Sequence, residues 1–194
     1  MKANRVCETL FAVMLALSAA CPRILAAPPA NPAAVDPKAV EAQLVSAQGQ
    51  IVAGNLDAGL KALAEVRSNA APTLAPRIAF VEKLLAARLA DRLADQAAVT
   101  AGLGEALRQA AQPDQVTACW QLGLNLNQAA VVAKSPAATG LIDFLAVQAA
   151  PALRQFGPHL EIARLRIAAN QPPAAEAELA KAAGYISSVG DRDA

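Results

Sequence analysis

The stretch VAGNLDAGLKALAEV, residues 52–66, decides how the whole chain is read. Gly54 ends one helix, Asn55 can cap the next, and Leu56, Leu60, Leu63 and Val66 then recur at three- and four-residue spacing. Upstream, Asp36 before Pro37 is a helix start, because the carboxylate accepts from free backbone amides and proline tolerates the first helical position. Val40, Leu44, Ala47 and Ile51 follow along one face. Two helices joined by so short a turn run antiparallel and bury those faces against each other. The stretch is the corner of a helical hairpin.

The same pattern continues downstream. Beyond Pro72 and Pro76, the spacing of Ile78, Val81, Leu85, Leu89 and Leu93 predicts a third helix, and Val99, Leu103, Leu107 and Ala110 a fourth, weakened by Gly102 and Gly104. Asp114 after Pro113 opens a fifth, with Val116, Cys119, Trp120, Gly123 and Ala130. Being apolar on more than one side, it is expected to be the most buried. Ser135-Pro136 starts a sixth through Leu141, Ile142, Leu145, Ala149 and Leu153, which Pro151 is expected to kink or end. Gly157-Pro158 resets the chain before a last pair, Leu160 to Ala169 and Pro173 to Gly184. No stretch alternates as a strand would. The expected fold is all-α: seven to eight helices in stacked antiparallel hairpins over residues 37–186, with a polar, frayed tail at 187–194.

Composition agrees. Of the 194 residues, 55% are hydrophobic but only 3% aromatic, so the core is built from Ala, Leu, Val and Ile, which suit close helix contacts. The N-terminal segment, residues 1–27, has Lys2 and Arg5 ahead of an apolar run from Leu10 to Ala20, then Pro22 and small residues, the layout of a secretory signal peptide with cleavage near Ala26. A run of about a dozen residues falls short of the roughly 20 that cross a bilayer. No permanent membrane span is therefore expected once the signal is removed, and a periplasmic or secreted domain is. Cys21 after Ser18-Ala19-Ala20 is a candidate lipidation residue, which would instead leave a membrane-anchored lipoprotein. Residues 28–36, rich in Pro and Ala, form a linker. Past residue 27 the chain has 14 basic and 15 acidic residues, so nothing in its charge suits a nucleic acid.

Comparing GNLDAGLKALAEV with NQPPAAEAELAKA, residues 170–182, gives a turn residue, a cap, a small residue and then a leucine in register: Gly59 and Leu63 correspond to Ala175 and Leu179. A small residue where helices cross and a large one a turn later suit a stacked hairpin. Both stretches resemble the second half of a tetratricopeptide repeat, with Ala163 and Ala182 at further small positions of that pattern. The resemblance implies a short α-solenoid whose packing positions are Gly54, Gly59, Leu63, Ala163, Ala175, Leu179 and Ala182. It also implies function by shape, a scaffold that binds a protein or peptide partner, here in a bacterial cell envelope.

Candidate chemistry is sparse. His159, the one histidine, follows Gly157-Pro158 and is expected to be solvated or to cap a helix. Asp91 and Asp95 alternate with Arg88 and Arg92 as a solvent-facing charge ladder, while Glu176 and Glu178 suit the start of the last helix. Arg154, Arg164 and Arg166 make a modest basic region. Cys119 beside Trp120 is expected to pack as a small apolar residue. No catalytic, cofactor-binding or metal-ligating set emerges, so the expectation is a non-enzymatic binding module. The competing expectation is a helical-bundle carrier of a small apolar ligand or lipid.

Overall fold

The computed structural model describes residues 36–190, with side chains through Ile186. The signal segment, Cys21 and the linker up to residue 35 lie outside the described residues, as do 191–194. Within them the chain is all-α, with eight helices in antiparallel pairs and no strand. They are α1 Pro37–Ala53, α2 Leu56–Asn69, α3 Ala75–Arg92, α4 Gln96–Gln109, α5 Pro113–Val132, α6, α7 Phe156–Ala168 and α8 Pro172–Gly190. Helix α6 is made of Ala137–Phe144, a π-helical turn Leu145–Ala149 and Ala150–Leu153. Pro151 has no amide hydrogen to give, and just before it the Ala150 N–H bonds to Leu145 O, the wider π spacing. The proline therefore does not end the helix, which runs two residues past it.

One turn is used four times. Gly54, Ala94, Lys134 and Asn170 all have left-handed backbones, with φ of 93°, 55°, 52° and 57°. At each, the N–H of the left-handed residue bonds three residues back and the next N–H bonds five back: Asn55 to Gln50 O, Asp95 to Ala90 O, Ser135 to Ala130 O and Gln171 to Arg166 O, all within 2.8–3.0 Å. These are Schellman closures, which satisfy carbonyls that a helix end otherwise leaves bare. Residues 55, 95 and 171 stand directly before the return helix, and Ser135 is separated from it by Pro136. Asp95 caps Ala98 N at 3.0 Å and Ser135 Oγ accepts from Ala137 N at 3.3 Å, whereas Asn55 turns its amide to Gln50 Oε1.

Between pairs, α1 packs on both α3 and α5, α4 on α5 and α6, and α7 on α6, while α8 docks through α7. Asn125 of α5 donates from Nδ2 to Val52 O of α1 at 2.9 Å. Near the other end of α1, Arg77 of α3 reaches Glu41 of α1 and lies 3.6 Å from Asp114 of α5. Helix α5 is the most enclosed, burying nine residues that include Gln115 and Asn127. Its start is set by Gln115, whose Oε1 accepts from the amides of Ala111 and Gln112, so that Asp114 sits in the first turn rather than capping it.

Two predicted faces are turned. In α3 the buried set is Phe80, Val81, Leu84 and Ala87, while Leu89 and, just past its end, Leu93 are exposed, because the helix must face α1 and α4 together. In α2, Leu60 is exposed and Gly59 takes the inward position. A Cβ on Gly59 would lie 2.7 Å from Ile51 Cγ1, so only glycine lets α2 cross α1 this closely. Gly59→Val should therefore destabilise the domain by about 2 kcal/mol, the ordinary cost of overpacking. The check is a lower urea midpoint with an unchanged slope.

Candidate functional site

The seven expected packing positions fall in two places. Gly54 and Gly59 are at the α1–α2 corner with Leu63 buried beside them, and Ala163, Ala175 and Ala182 are buried between α7 and α8. Leu179 is 45% exposed. The neighbouring Glu178 turns inward instead.

Glu178 meets His159, and here expectation and structure part. His159 is neither solvated nor a cap: it is 2% exposed and Glu178 4%. His159 Nδ1 lies 2.7 Å from Glu178 Oε2. An ionised carboxylate only accepts, so Nδ1 carries the hydrogen and donates it. Lys181 donates to the other oxygen, Oε1, at 2.6 Å, and Tyr185 stacks on the imidazole with centroids 5.4 Å apart. Burial alone would raise the Glu178 pKa. Hydrogen bonds from Lys181 and His159, with the positive charge they bring, outweigh it and hold the carboxyl below its ordinary value. The pair fastens α8 to α7, in a place too enclosed to admit a substrate.

The other polar candidates are engaged or buried. Arg166 donates to Gln171 Oε1 at 2.7 Å and to Asp143 Oδ1 at 2.6 Å, which ties α7 to α6. Arg164 is paired with Glu161, so two of the three arginines of the expected basic region are matched by carboxylates. Cys119 is fully buried and its thiol is pushed up to about 12 by desolvation, far from a reactive thiolate. Among the described residues no cluster of His, Cys, Asp and Glu could hold a metal, and no helix is long and apolar enough to cross a membrane.

Three hollows stand out among the described residues, one of about 290 Å³ lying beside Arg67, Pro72 and Ile78. Another, about 540 Å³, is an open groove at the C-terminal ends of α1 and α5, with Arg88, Asn125 and Gln128 as its polar lining and Ala53, Ala129 and Val132 as its apolar one. Arg88 does not belong to a solvent-facing ladder. Its side chain is 16% exposed, its nearest carboxylate is Asp91 at 4.0 Å, beyond hydrogen-bond range, and its guanidinium lies where a Cβ on Gly54 would be. Gly54 thus serves twice, supplying the positive φ of the turn and the space for this guanidinium. The last of the three, about 250 Å³, lies at the junction of α5, α6 and α7 beside Trp120. Neither it nor the Arg88 groove was signalled by the sequence, since each is lined from three helices at unrelated spacings.

Comparison of the chain with protein-family models, with curated proteins and with solved structures returns no match.

Removing His159 leaves one oxygen of the buried Glu178 carboxylate without its hydrogen bond, so His159→Ala should cost about 2 kcal/mol. The folded Glu178 pKa is below the unfolded one. Its stabilisation is therefore complete above the ordinary value of 4.5 and is lost as pH falls through the lowered value. Acidification below 4.5 should accelerate hydrogen exchange in α8 more than in α1, and Glu178→Gln should remove that difference between acid and neutral pH.

Proposed function

We propose that this chain is an exported, non-enzymatic helical-repeat module, similar in its hairpins to tetratricopeptide repeats, that binds a protein or peptide partner in the bacterial cell envelope. The observation that carries this reading is the Arg88 groove. A half-buried guanidinium without a hydrogen-bonded carboxylate, flanked by two carboxamides on an alanine floor, is an anchor point for an acidic side chain of a partner. The groove is open along its length, and small-molecule sites usually enclose most of their ligand, so a macromolecular partner fits it better than a carried lipid. The signal-like N-terminal segment supplies the export part of the proposal, with the mature chain starting near Ala26 and the lipoprotein anchored through Cys21 as the alternative.

Affinity capture from an envelope fraction tests the reading. The wild-type chain should retain a specific protein, and Arg88→Glu should lower its recovery at least tenfold, the loss of one charge-assisted contact. Intact mass of the chain recovered from its host should begin near Ala26. Retention of Met1 would remove the export part, and equal capture by Arg88→Glu would remove the groove as the binding site.

A further inference from the structure

The last hairpin leaves one side bare. Phe156, Leu160 and Ile167 of α7 and Leu179 and Ile186 of α8 are each between 43% and 62% exposed. At about 100° per residue, the three on α7 fall within about 40° of one another and the two on α8 within about 20°. On α7 the stripe lies beside His159 and Ala163, which turn toward α8, and away from Arg166, which reaches Asp143 of α6. On α8 it lies beside the buried Ala175 and Ala182. Because the two helices are right-handed and antiparallel, both stripes open on the same side of the hairpin, opposite α6. Leu160 and Leu179 stand at about the same height on it, each one residue from a member of the His159–Glu178 pair. The outer helix at the other end of the domain is finished differently. There α2 turns Asp57, Lys61, Glu65 and Ser68 to solvent, with Leu60 as its single exposed leucine. A stack of hairpins needs a polar outer face at each end to stay soluble, and α7–α8 lacks one.

We infer that a second copy of this chain covers the outer face of α7–α8, the two hairpins packing about a two-fold axis parallel to their helices. The edges of the face select that occupant. Arg164 stands on the α7 edge, and Glu176, exposed and without an ion-pair partner among the described residues, stands on the α8 edge. A two-fold along the helices lays α7 of one copy antiparallel over α8 of the other, so that Leu160 meets Leu179 and Arg164 approaches Glu176 on both edges. Arg164 is three residues nearer the Asn170 turn than Glu176, an offset of about 4.5 Å that an arginine side chain spans. Its bonds to Glu161 use Nε and Nη2, which leaves Nη1 to donate across the interface. Head-to-tail stacking would instead set this apolar face against the polar side of α2. With α7 about 20 Å long and the hairpin about 20 Å wide, the contact buries on the order of 1,000 Å² in total, the lower end for a specific interface, and the dimer falls in the micromolar range.

Sedimentation velocity on the chain recovered from its host, from about 1 to about 300 µM, should show a monomer passing to a dimer with a micromolar midpoint. Leu160→Glu and Leu179→Glu, both at exposed positions, should weaken the dimer at least tenfold while the urea midpoint of the dilute monomer stays unchanged. Arg164→Glu should weaken it about fivefold and Glu176→Arg likewise. The two together should restore it, because only like faces of one chain meeting across a two-fold exchange both charges at once. A chain monomeric throughout, a dimer indifferent to Leu160→Glu and Leu179→Glu, a mass rising past two copies, or no rescue in the double variant would overturn the assignment. So would a monomeric chain whose captured envelope protein is lost in Leu160→Glu, since the face would then belong to that protein. Arg88 is in α3, outside this face, so Arg88→Glu should leave the dimer intact, and the dimer stands or falls separately from the groove.

Discussion

The contact on which the rest of the domain depends is that of α1 with α5, two helices separated by three others in the chain. Asn125 crosses from α5 to the last turn of α1, and Arg77 draws Glu41 and Asp114 together near the other end. In an open solenoid each pair touches only its neighbours. Here the first pair reaches past the second to the third, so α1, α3 and α5 pack around one another. That closure makes α5 the most buried helix and places Arg88 against the end of α1. The contact is partly polar, since Asn125 satisfies the Val52 carbonyl at the last turn of α1.

The four hairpin turns explain how so regular a fold comes from so irregular a sequence. Gly54-Asn55, Ala94-Asp95, Lys134-Ser135 and Asn170-Gln171 share one hydrogen-bond pattern but no common residue. Backbone geometry repeats where side-chain identity does not, because three of the four left-handed positions tolerate a non-glycine residue once the closure is made. The turns fall 40, 40 and 36 residues apart, longer than the tetratricopeptide period of about 34. Hairpins of this kind were legible from GN and NQP, whereas their spacing was not.

Much of the fold could be read from local rules. Helix starts at Pro37 and Ala137 follow cap-and-proline signals, and the face of α1 is the one its periodicity gives. What eluded those rules depends on partners far along the chain. Leu89 and Leu93 continue a sound apolar stripe but lie outward, because α3 faces two helices rather than one. His159 and Glu178 looked solvent-bound, since a lone histidine after Gly-Pro and a glutamate between an alanine and a leucine carry no burial signal of their own. A signal did exist in their mirrored placement about the Asn170 turn, which brings them opposite each other in an antiparallel pair. The Arg88 groove and the hollow beside Trp120 had none. The charge ladder at Arg88 and Asp91 reads the same whether the arginine faces water or a groove.

The most direct test of the closed arrangement is a nuclear Overhauser measurement on the isotope-labelled chain, between the Asn125 side-chain amide protons and the α-protons of Val52 and Ala53. Closure of α1 on α5 predicts clear cross-peaks to these residues, with the Asn125 amide protons protected from exchange. A chain in which those cross-peaks are absent while the contacts inside the α1–α2 and α5–α6 pairs remain would be an open stack. The Arg88 groove would then have no floor.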